Sequence, residues 1–188
     1  MGQLNLFSQA LAYELRPELP DPCDHTLQEA QEEFVGRLPD GTTCPCCGRW
    51  GKVYGRALNY KMAAGLRWIV YTWEQNDAQW IDVPNTGPRW LLRSNQHPTL
   101  RWWDLLERKP NTEDDTRKHT GFYRPTEEGL QFVNGMIRVP KKVFTFDDNV
   151  IAVSKEEIDI WEVAGYFDYE EVMSPAYEPM KPPKELTR

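Results

Sequence analysis

The chain has 188 residues, of which 40% are hydrophobic, and a formal net charge of −7. This length allows one sizeable core, while the sequence has neither an apolar run of about 18 residues that would predict a membrane span nor the pattern of a signal peptide. Three of the four cysteines lie together at Cys44, Cys46 and Cys47, which disfavours a disulfide framework. We therefore expect a cytosolic protein.

The charge is distributed unevenly along the chain. Residues 1–48 carry 2 basic and 8 acidic side chains, residues 49–142 carry 16 and 10, and residues 143–188 carry 4 and 11. Local charge, rather than total charge, attracts a polyanion to a surface. A basic centre between acidic ends is therefore compatible with nucleic-acid binding, although a solvated surface of mixed charge explains the same pattern.

Residues 1–25 form an acidic leader that is interrupted by prolines, and we expect it to be flexible. Its stretch QLNLF resembles the pentapeptide by which bacterial replication and repair proteins bind the DNA sliding clamp. A few apolar anchors supply most of the energy when such a peptide binds a pocket. The partner-binding residues that this resemblance implies are Gln3, Leu4, Leu6 and Phe7. The alternative is an N-terminal helix with an apolar face that packs on the protein itself.

Residues 26–57 predict a helix followed by a zinc-knuckle or ribbon-like segment. Thr26 and Glu29 have the spacing of a capping box at the start of the helix. In the stretch CPCCG, Cys44 and Cys47 have the spacing of half a tetrahedral zinc site. With the nearest upstream candidates added, the predicted ligands of a structural Zn²⁺ are Cys23, His25, Cys44 and Cys47. Reduced cysteines in a turn and a redox-active cysteine pair are the alternatives.

Residues 58–140 predict a winged helix-turn-helix domain within an α+β fold. Asn59 caps a helix that is apolar on most sides and should be central to the core. A short helix ending at residues 105–107, a strand, the polar loop 111–120, a second strand and a helix capped by Thr126 follow. This order is similar to that of winged-helix domains in bacterial transcription regulators. The similarity implies that one helix enters the major groove and that the loop, or wing, contacts the flanking backbone.

The same resemblance implies two groups of DNA-contacting residues. Arg93, His97, Thr99 and Arg101 lie in or before the expected recognition helix, and Arg117, Lys118 and His119 lie in the expected wing. Their cationic side chains would neutralise phosphates and make the affinity depend on salt. Because Trp102 and Trp103 leave few groove-facing positions, and because winged helices also dock proteins, a protein partner is the alternative.

The remaining residues predict a small extension and a tail. Residues 141–174 predict a β-hairpin with a tight turn at 147–149 and a helix that begins after Ser154. Residues 175–188 are rich in proline and predict a disordered tail.

Several blocks together resemble an uncharacterised family encoded by bacteriophages and prophages. They span residues 44–173 and read CPCCG with KVYGRALN, LRWWDLLE, GFYRPTEEGLQFVNG, IRVPKKV and FDYEEVM. The resemblance implies a phage origin, a zinc knuckle with a winged helix, and the cytoplasm of a bacterial host, but no established activity. In that family the cysteine pair is regular and upstream ligands such as Cys23 and His25 are not, which leaves a partner-supplied site open.

The sequence contains no recognisable catalytic pattern. Its three histidines lie in separate segments, and it has neither a phosphate-binding glycine loop nor a nucleophile motif. We therefore expect a non-enzymatic phage protein that binds double-stranded DNA and is tethered to the sliding clamp. The alternative is a protein-interaction factor that binds or inhibits a host protein, either the clamp or a defence component. The sequence leaves the oligomeric state open.

Overall fold

The computed structural model describes residues 25–112 and 120–164. The expected clamp-binding peptide, Cys23, the wing residues 117–119 and the proline-rich tail lie outside the described residues. The chain divides into two compact units between Tyr54 and Gly55. The fold is a mixed α+β arrangement of several helices and small antiparallel sheets, as the sequence predicts.

The first unit contains a helix and a small hairpin. Helix α1 (Leu27–Arg37) begins with the predicted capping box, because the Thr26 hydroxyl accepts from the Glu29 N–H while the Glu29 carboxylate accepts from the Thr26 N–H at 2.7 Å. Strands β1 (Thr42–Thr43) and β2 (Trp50–Gly51) pair antiparallel. The loop between these strands contains the three described cysteines.

The second unit is built around one long helix, α2 (Tyr60–Gln75), as predicted. The Asn59 side chain caps it by accepting from the N–H groups of Lys61 and Met62. The buried residues of α2 include Met62, Ala63, Ala64, Gly65, Leu66, Trp68, Ile69 and Val70. Burial on nearly all sides explains why this helix has no single apolar stripe.

Strand β3 (Tyr54–Ala57) starts at the last residue of the first unit, Tyr54, and the remaining elements of the second unit follow α2 in the chain. In chain order these are β4 (Ile81–Asp82), α3 (Val83–Thr86), α4 (Arg89–Ser94), a 3₁₀ helix (His97–Trp103), β5 (Leu106–Arg108), β6 (Phe122–Pro125), α5 (Glu127–Val133), β7 (Val139–Pro140), β8 (Lys142–Phe146), β9 (Asn149–Val153), β10 (Glu157–Ile158) and α6 (Ile160–Ala164). They form three antiparallel groupings among the described residues: β4-β6-β5, β3-β8-β9 and β7-β10. Val143, Ile160 and Val163 belong to the same core as α2.

The predicted short helix differs from the observed one in type and end point. It is a 3₁₀ helix that ends at Trp103, and Asp104 has a left-handed backbone with φ of 58°. Residue Leu106, expected in the helix, starts strand β5. The left-handed residue turns the chain so that Leu105 and Leu106 enter the core, where they are 0% and 2% exposed.

The segment after Ser154 also differs from the prediction. Residues Glu157 and Ile158 form strand β10, which pairs with β7 through Ile158 opposite Val139, so the predicted helix begins only at Ile160. The cap explains the later start, because one oxygen of the Asp159 carboxylate accepts from the Glu162 N–H at 2.9 Å. The predicted β8–β9 hairpin is confirmed, with positive φ at both turn residues, Asp147 and Asp148.

Candidate nucleic-acid interface and cysteine hairpin

The two strands that flank the predicted wing loop, β5 and β6, belong to the sheet β4-β6-β5. Strand β6 lies in the middle and pairs antiparallel with both neighbours. Strands β5 and β6 are therefore adjacent, and residues 113–119 of the connection between them lie outside the described residues. Helix α2 precedes β4, while α3, α4 and the 3₁₀ helix lie between β4 and β5 in the chain.

Strands β5 and β6 have one inward and one outward face. Leu106 and Tyr123 are buried, whereas Glu107 lies opposite Arg124 on the other face. The Arg124 guanidinium pairs with the Glu107 carboxylate at 2.5 Å and lies 4.5 Å from the centre of the Trp80 ring. The hydrogen bond to Glu107 raises the pKa of Arg124 above its ordinary value. Arg124 is therefore a fixed cation on the outer face of the sheet.

Lys109 lies where the wing loop leaves β5. Its N–H donates to the Phe122 carbonyl at 2.9 Å, its carbonyl accepts from the Thr120 hydroxyl at 3.0 Å, and its ammonium lies 5.4 Å from the Phe122 ring centre. Its side chain is exposed. Lys109 and Arg124 are candidate phosphate contacts that were not predicted from the sequence, because LERK and FYRP do not alternate regularly between apolar and charged residues.

The histidine expected in the recognition helix lies in the core instead. His97 is 5% exposed and meets the Tyr123 ring edge-on at a centroid distance of 4.8 Å. Its Nδ1 is buried and has no hydrogen-bond partner in the described part of the chain, and burial lowers the pKa of His97 to about 4. This burial removes His97 from the groove-facing residues, because a base edge has no access to the ring.

The other expected recognition residues lie nearer the surface. The Thr99 hydroxyl donates to the Gln96 carbonyl at 2.6 Å within the 3₁₀ helix, and Arg93 is exposed at the last turn of α4. Arg101 is half-buried, and its guanidinium pairs with the Asp148 carboxylate in the β8–β9 turn. Part of its charge is therefore neutralised within the protein.

The two tryptophans after Arg101 attach the 3₁₀ helix to the rest of the unit. The Trp102 indole N–H donates to the Asp148 carbonyl at 3.3 Å, and the Trp103 indole N–H donates to the Pro140 carbonyl at 2.6 Å. Trp103 is 7% exposed. Both rings are thus held by backbone groups of later residues, as expected of side chains that pack rather than read DNA.

In the first unit, backbone groups converge on one cysteine sulphur. The Cys44 Sγ accepts from the N–H groups of Cys47 and Cys46, and these bonds lower the pKa of the Cys44 thiol. The loop is closed by two bonds, from the Cys44 N–H to the Arg49 carbonyl at 2.8 Å and from the Gly48 N–H to the Cys44 carbonyl at 2.9 Å. Gly48 has φ of 69°, which a glycine adopts at little cost. The loop therefore favours a thiolate, the form that binds metals.

The predicted four-ligand zinc set is not assembled among the described residues. His25 lies 3.3 Å from the Glu33 carboxylate on α1, and Cys23 lies outside the described residues. Residues 25–112 and 120–164 contain no group of three histidine, cysteine or acidic side chains placed to hold a metal. Of the three described cysteines, Cys44 is half-buried, whereas Cys46 and Cys47 are exposed.

None of the helices in the described ranges is long and apolar enough to cross a membrane. Comparisons with protein-family models, with curated proteins and with solved structures found no match to this chain.

Proposed function

We propose that this protein binds double-stranded DNA through a winged-helix region that spans α2 to α5. The observation that carries the proposal is the sheet order β4-β6-β5 together with the elements that precede it. A helix, a strand, two short helices, a 3₁₀ helix and two further antiparallel strands follow one another, the order expected of a winged helix. In such a domain the helix before the wing and the wing itself are the parts that meet DNA.

The charge of the region supports a polyanionic partner. Arg124 lies on β6, Lys109 directly follows β5, and Arg93 lies on α4. Arg117, Lys118 and His119 belong by sequence to the loop between β5 and β6 and lie outside the described residues. Each cation that contacts a phosphate releases counterions, so the affinity should fall as salt rises. His97 and the two tryptophans have no part in this contact.

The proposal includes a phage origin, action in the cytoplasm of a bacterial host and attachment to the sliding clamp. Attachment would use the peptide Gln3, Leu4, Leu6 and Phe7. It also includes a structural Zn²⁺ held by Cys44 and Cys47, with Cys23 and His25 or a partner molecule completing the site. The lowered pKa of the Cys44 thiol supports metal binding, because only the thiolate is a ligand.

A protein-interaction role is the second candidate, and two ion pairs favour it. Arg101 is paired with Asp148, and Arg124 is paired with Glu107. Both pairs reduce the net positive charge that this surface offers to DNA. If both ion pairs stay intact, the same surface suits a protein partner of mixed charge, such as a host protein that the phage inhibits.

Fluorescence anisotropy of a labelled DNA duplex, titrated with the full chain at two salt concentrations, tests the proposal. We expect binding that weakens several-fold as salt rises. Lys109→Ala should reduce the slope of log affinity against log salt by about 1, the effect of losing one phosphate contact. Lys142→Ala, which removes an exposed lysine from β8, is the matched control. Absence of binding at both salt concentrations would contradict DNA binding and favour a protein partner.

A further inference from the structure

The outer face of the sheet β4-β6-β5 places aromatic rings beside cations. The register pairs Asp82 with Phe122 on one side of β6, and Glu107 with Arg124 on the other side. The Lys109 N–H donates to the Phe122 carbonyl, which continues the pairing of β5 with β6 by one residue. Residues that are paired in this way, or that lie two apart on one strand, share a face. The side chains of the outer face are therefore Trp80, Asp82, Glu107, Lys109, Phe122 and Arg124.

Arg124 presents a planar guanidinium on this face. The group lies over the Trp80 ring, 4.5 Å from its centre, and it pairs with the Glu107 carboxylate at 2.5 Å. Its position is thus fixed by two contacts, while 43% of the Arg124 side chain stays exposed. Nucleobases stack on guanidinium planes as they do on aromatic rings. Arg124 with Trp80 beneath it therefore forms one stacking position.

Phe122 forms a second stacking position, two residues before Arg124 on β6. Its ring is partly exposed, and the Lys109 ammonium lies 5.4 Å from the ring centre. Two residues of a strand span about 7 Å, whereas successive bases of a duplex strand are about 3.4 Å apart. Bases placed on Arg124 and Phe122 are therefore separated from each other, which a single strand allows and a stacked duplex does not.

The charges of this face fit a phosphate backbone. Both carboxylates on it are engaged within the protein, because Glu107 pairs with Arg124 and Asp82 accepts from the N–H and the side-chain amide of Asn85. The Lys109 ammonium is exposed and forms no ion pair with any residue of the ranges 25–112 and 120–164. Lys109 is therefore the charge on this face that a phosphate would neutralise.

We propose that the outer face of the sheet β4-β6-β5 binds a single strand of nucleic acid. One base stacks on Arg124 and Trp80, the neighbouring base stacks on Phe122, and a phosphate contacts Lys109. Cations combined with stacking surfaces hold single strands with little preference for sequence. The proposal does not rest on the proposed duplex binding, because Trp80 and Phe122 have no part in the duplex contact.

Fluorescence anisotropy of labelled oligo-dT and oligo-U of about 12 nucleotides, titrated with the full chain, tests the proposal. We expect Phe122→Leu to weaken binding at least about fivefold, the effect of losing one stacked base. The salt dependence should not change, because this variant removes no charge. The matched control is Phe144→Leu, the same change at a partly exposed residue of β8. The oligonucleotide that binds more tightly shows whether the strand is DNA or RNA.

Two further variants separate stacking from charge. Lys109→Ala should reduce the slope of log affinity against log salt by about 0.7, the effect of one phosphate contact on a single strand. Arg124→Lys keeps the charge but loses the planar group, so it should weaken binding although the salt slope is retained. Circular dichroism checks that each variant is folded.

Absence of binding to both oligonucleotides would overturn the proposal, and so would equal affinities of Phe122→Leu and Phe144→Leu. Wild-type affinity of Arg124→Lys would overturn the stacking position on Arg124. Duplex binding is measured separately, and its absence alone would contradict the proposed function without affecting the single-strand site.

Discussion

His97 shows how one buried side chain links the core to pH. Its ring is 5% exposed and packs against Tyr123, and burial lowers its pKa to about 4, whereas an unfolded chain has a histidine pKa near 6.5. Between these two values the unfolded chain binds a proton that the native protein does not. The contribution of His97 to stability is therefore present above about pH 6.5 and is lost as the pH falls toward 4.

We accordingly expect the free energy of unfolding to decrease from pH 7 to pH 4, with up to about 3 kcal/mol of the decrease due to His97. His97→Phe retains an aromatic ring beside Tyr123 but cannot bind a proton. Urea unfolding at several pH values should show a smaller decrease for this variant than for the wild type. Equal decreases in both proteins would mean that the imidazole is not protonated on unfolding in this range.

Gly129 is required for a close approach between α5 and the chain before β5. A Cβ on this residue would overlap the Leu105 carbonyl oxygen, a backbone atom that cannot rotate away. We expect Gly129→Ala to lower the free energy of unfolding by roughly 1–3 kcal/mol, the usual cost of overpacking. Gly36→Ala is the control, because a Cβ on this residue of α1 meets no atom within 4 Å. Thermal unfolding of both variants checks the prediction, and equal losses of stability would contradict it.

The helix caps could be predicted from residues that are close together in the sequence. The Thr126 hydroxyl accepts from the Gly129 N–H at 2.9 Å and donates to the Asp104 carbonyl. It therefore starts α5 and also ties that helix to the end of the 3₁₀ helix. This second bond was not apparent from the sequence, since its partner is 22 residues away.

Thr126→Ala should lower the free energy of unfolding by about 1–2 kcal/mol, because the Gly129 N–H loses its acceptor. Thr126→Ser keeps the hydroxyl and should lose less. Chemical denaturation of the two variants provides the comparison. If serine and alanine are equally destabilising, the methyl group of Thr126 matters and the cap does not.

The cysteine hairpin is the second element with a testable property. Cys44→Ser and Cys47→Ser should each abolish the binding of zinc, measured by competition with a chromogenic chelator. Each variant leaves only one of the two proposed cysteine ligands in the hairpin, and one thiolate does not hold the metal. Cys46→Ser should retain zinc binding, because Cys46 is not one of the proposed ligands. Binding that survives Cys44→Ser would contradict the proposed site. The zinc stoichiometry indicates which residues supply the remaining ligands of the site. One zinc per chain favours Cys23 and His25, and one zinc per two chains favours ligands from a partner molecule.

At the scale of the whole molecule, net charge is a poor guide to function. The total of −7 conceals a region that is basic by sequence and that the structure builds around one core. Within that region, ion pairs such as those of Arg101 and Arg124 withdraw part of the positive charge from the surface. The salt dependence of DNA binding measures the positive charge that remains accessible to DNA. It is therefore the decisive experiment for the proposed function.

The sequence by itself determined the features that depend on neighbouring residues. These include the caps at Thr26, Asn59 and Thr126 and the tight turn at Asp147, because each depends on bonds or backbone angles within a few residues. The apolar character of α2 likewise predicted its central position. The sequence also predicted the two strands, β5 and β6, on either side of the polar loop.

Only the tertiary structure decided the features that join distant segments. It buried His97 against Tyr123, paired Arg101 with Asp148, and turned Glu157 and Ile158 into a strand rather than a helix. In each case the partner is 17 or more residues away in the chain, and a local pattern cannot specify a partner at that separation. The physical reason is that burial and ion pairing depend on which elements pack together, and this is settled only when the whole core forms.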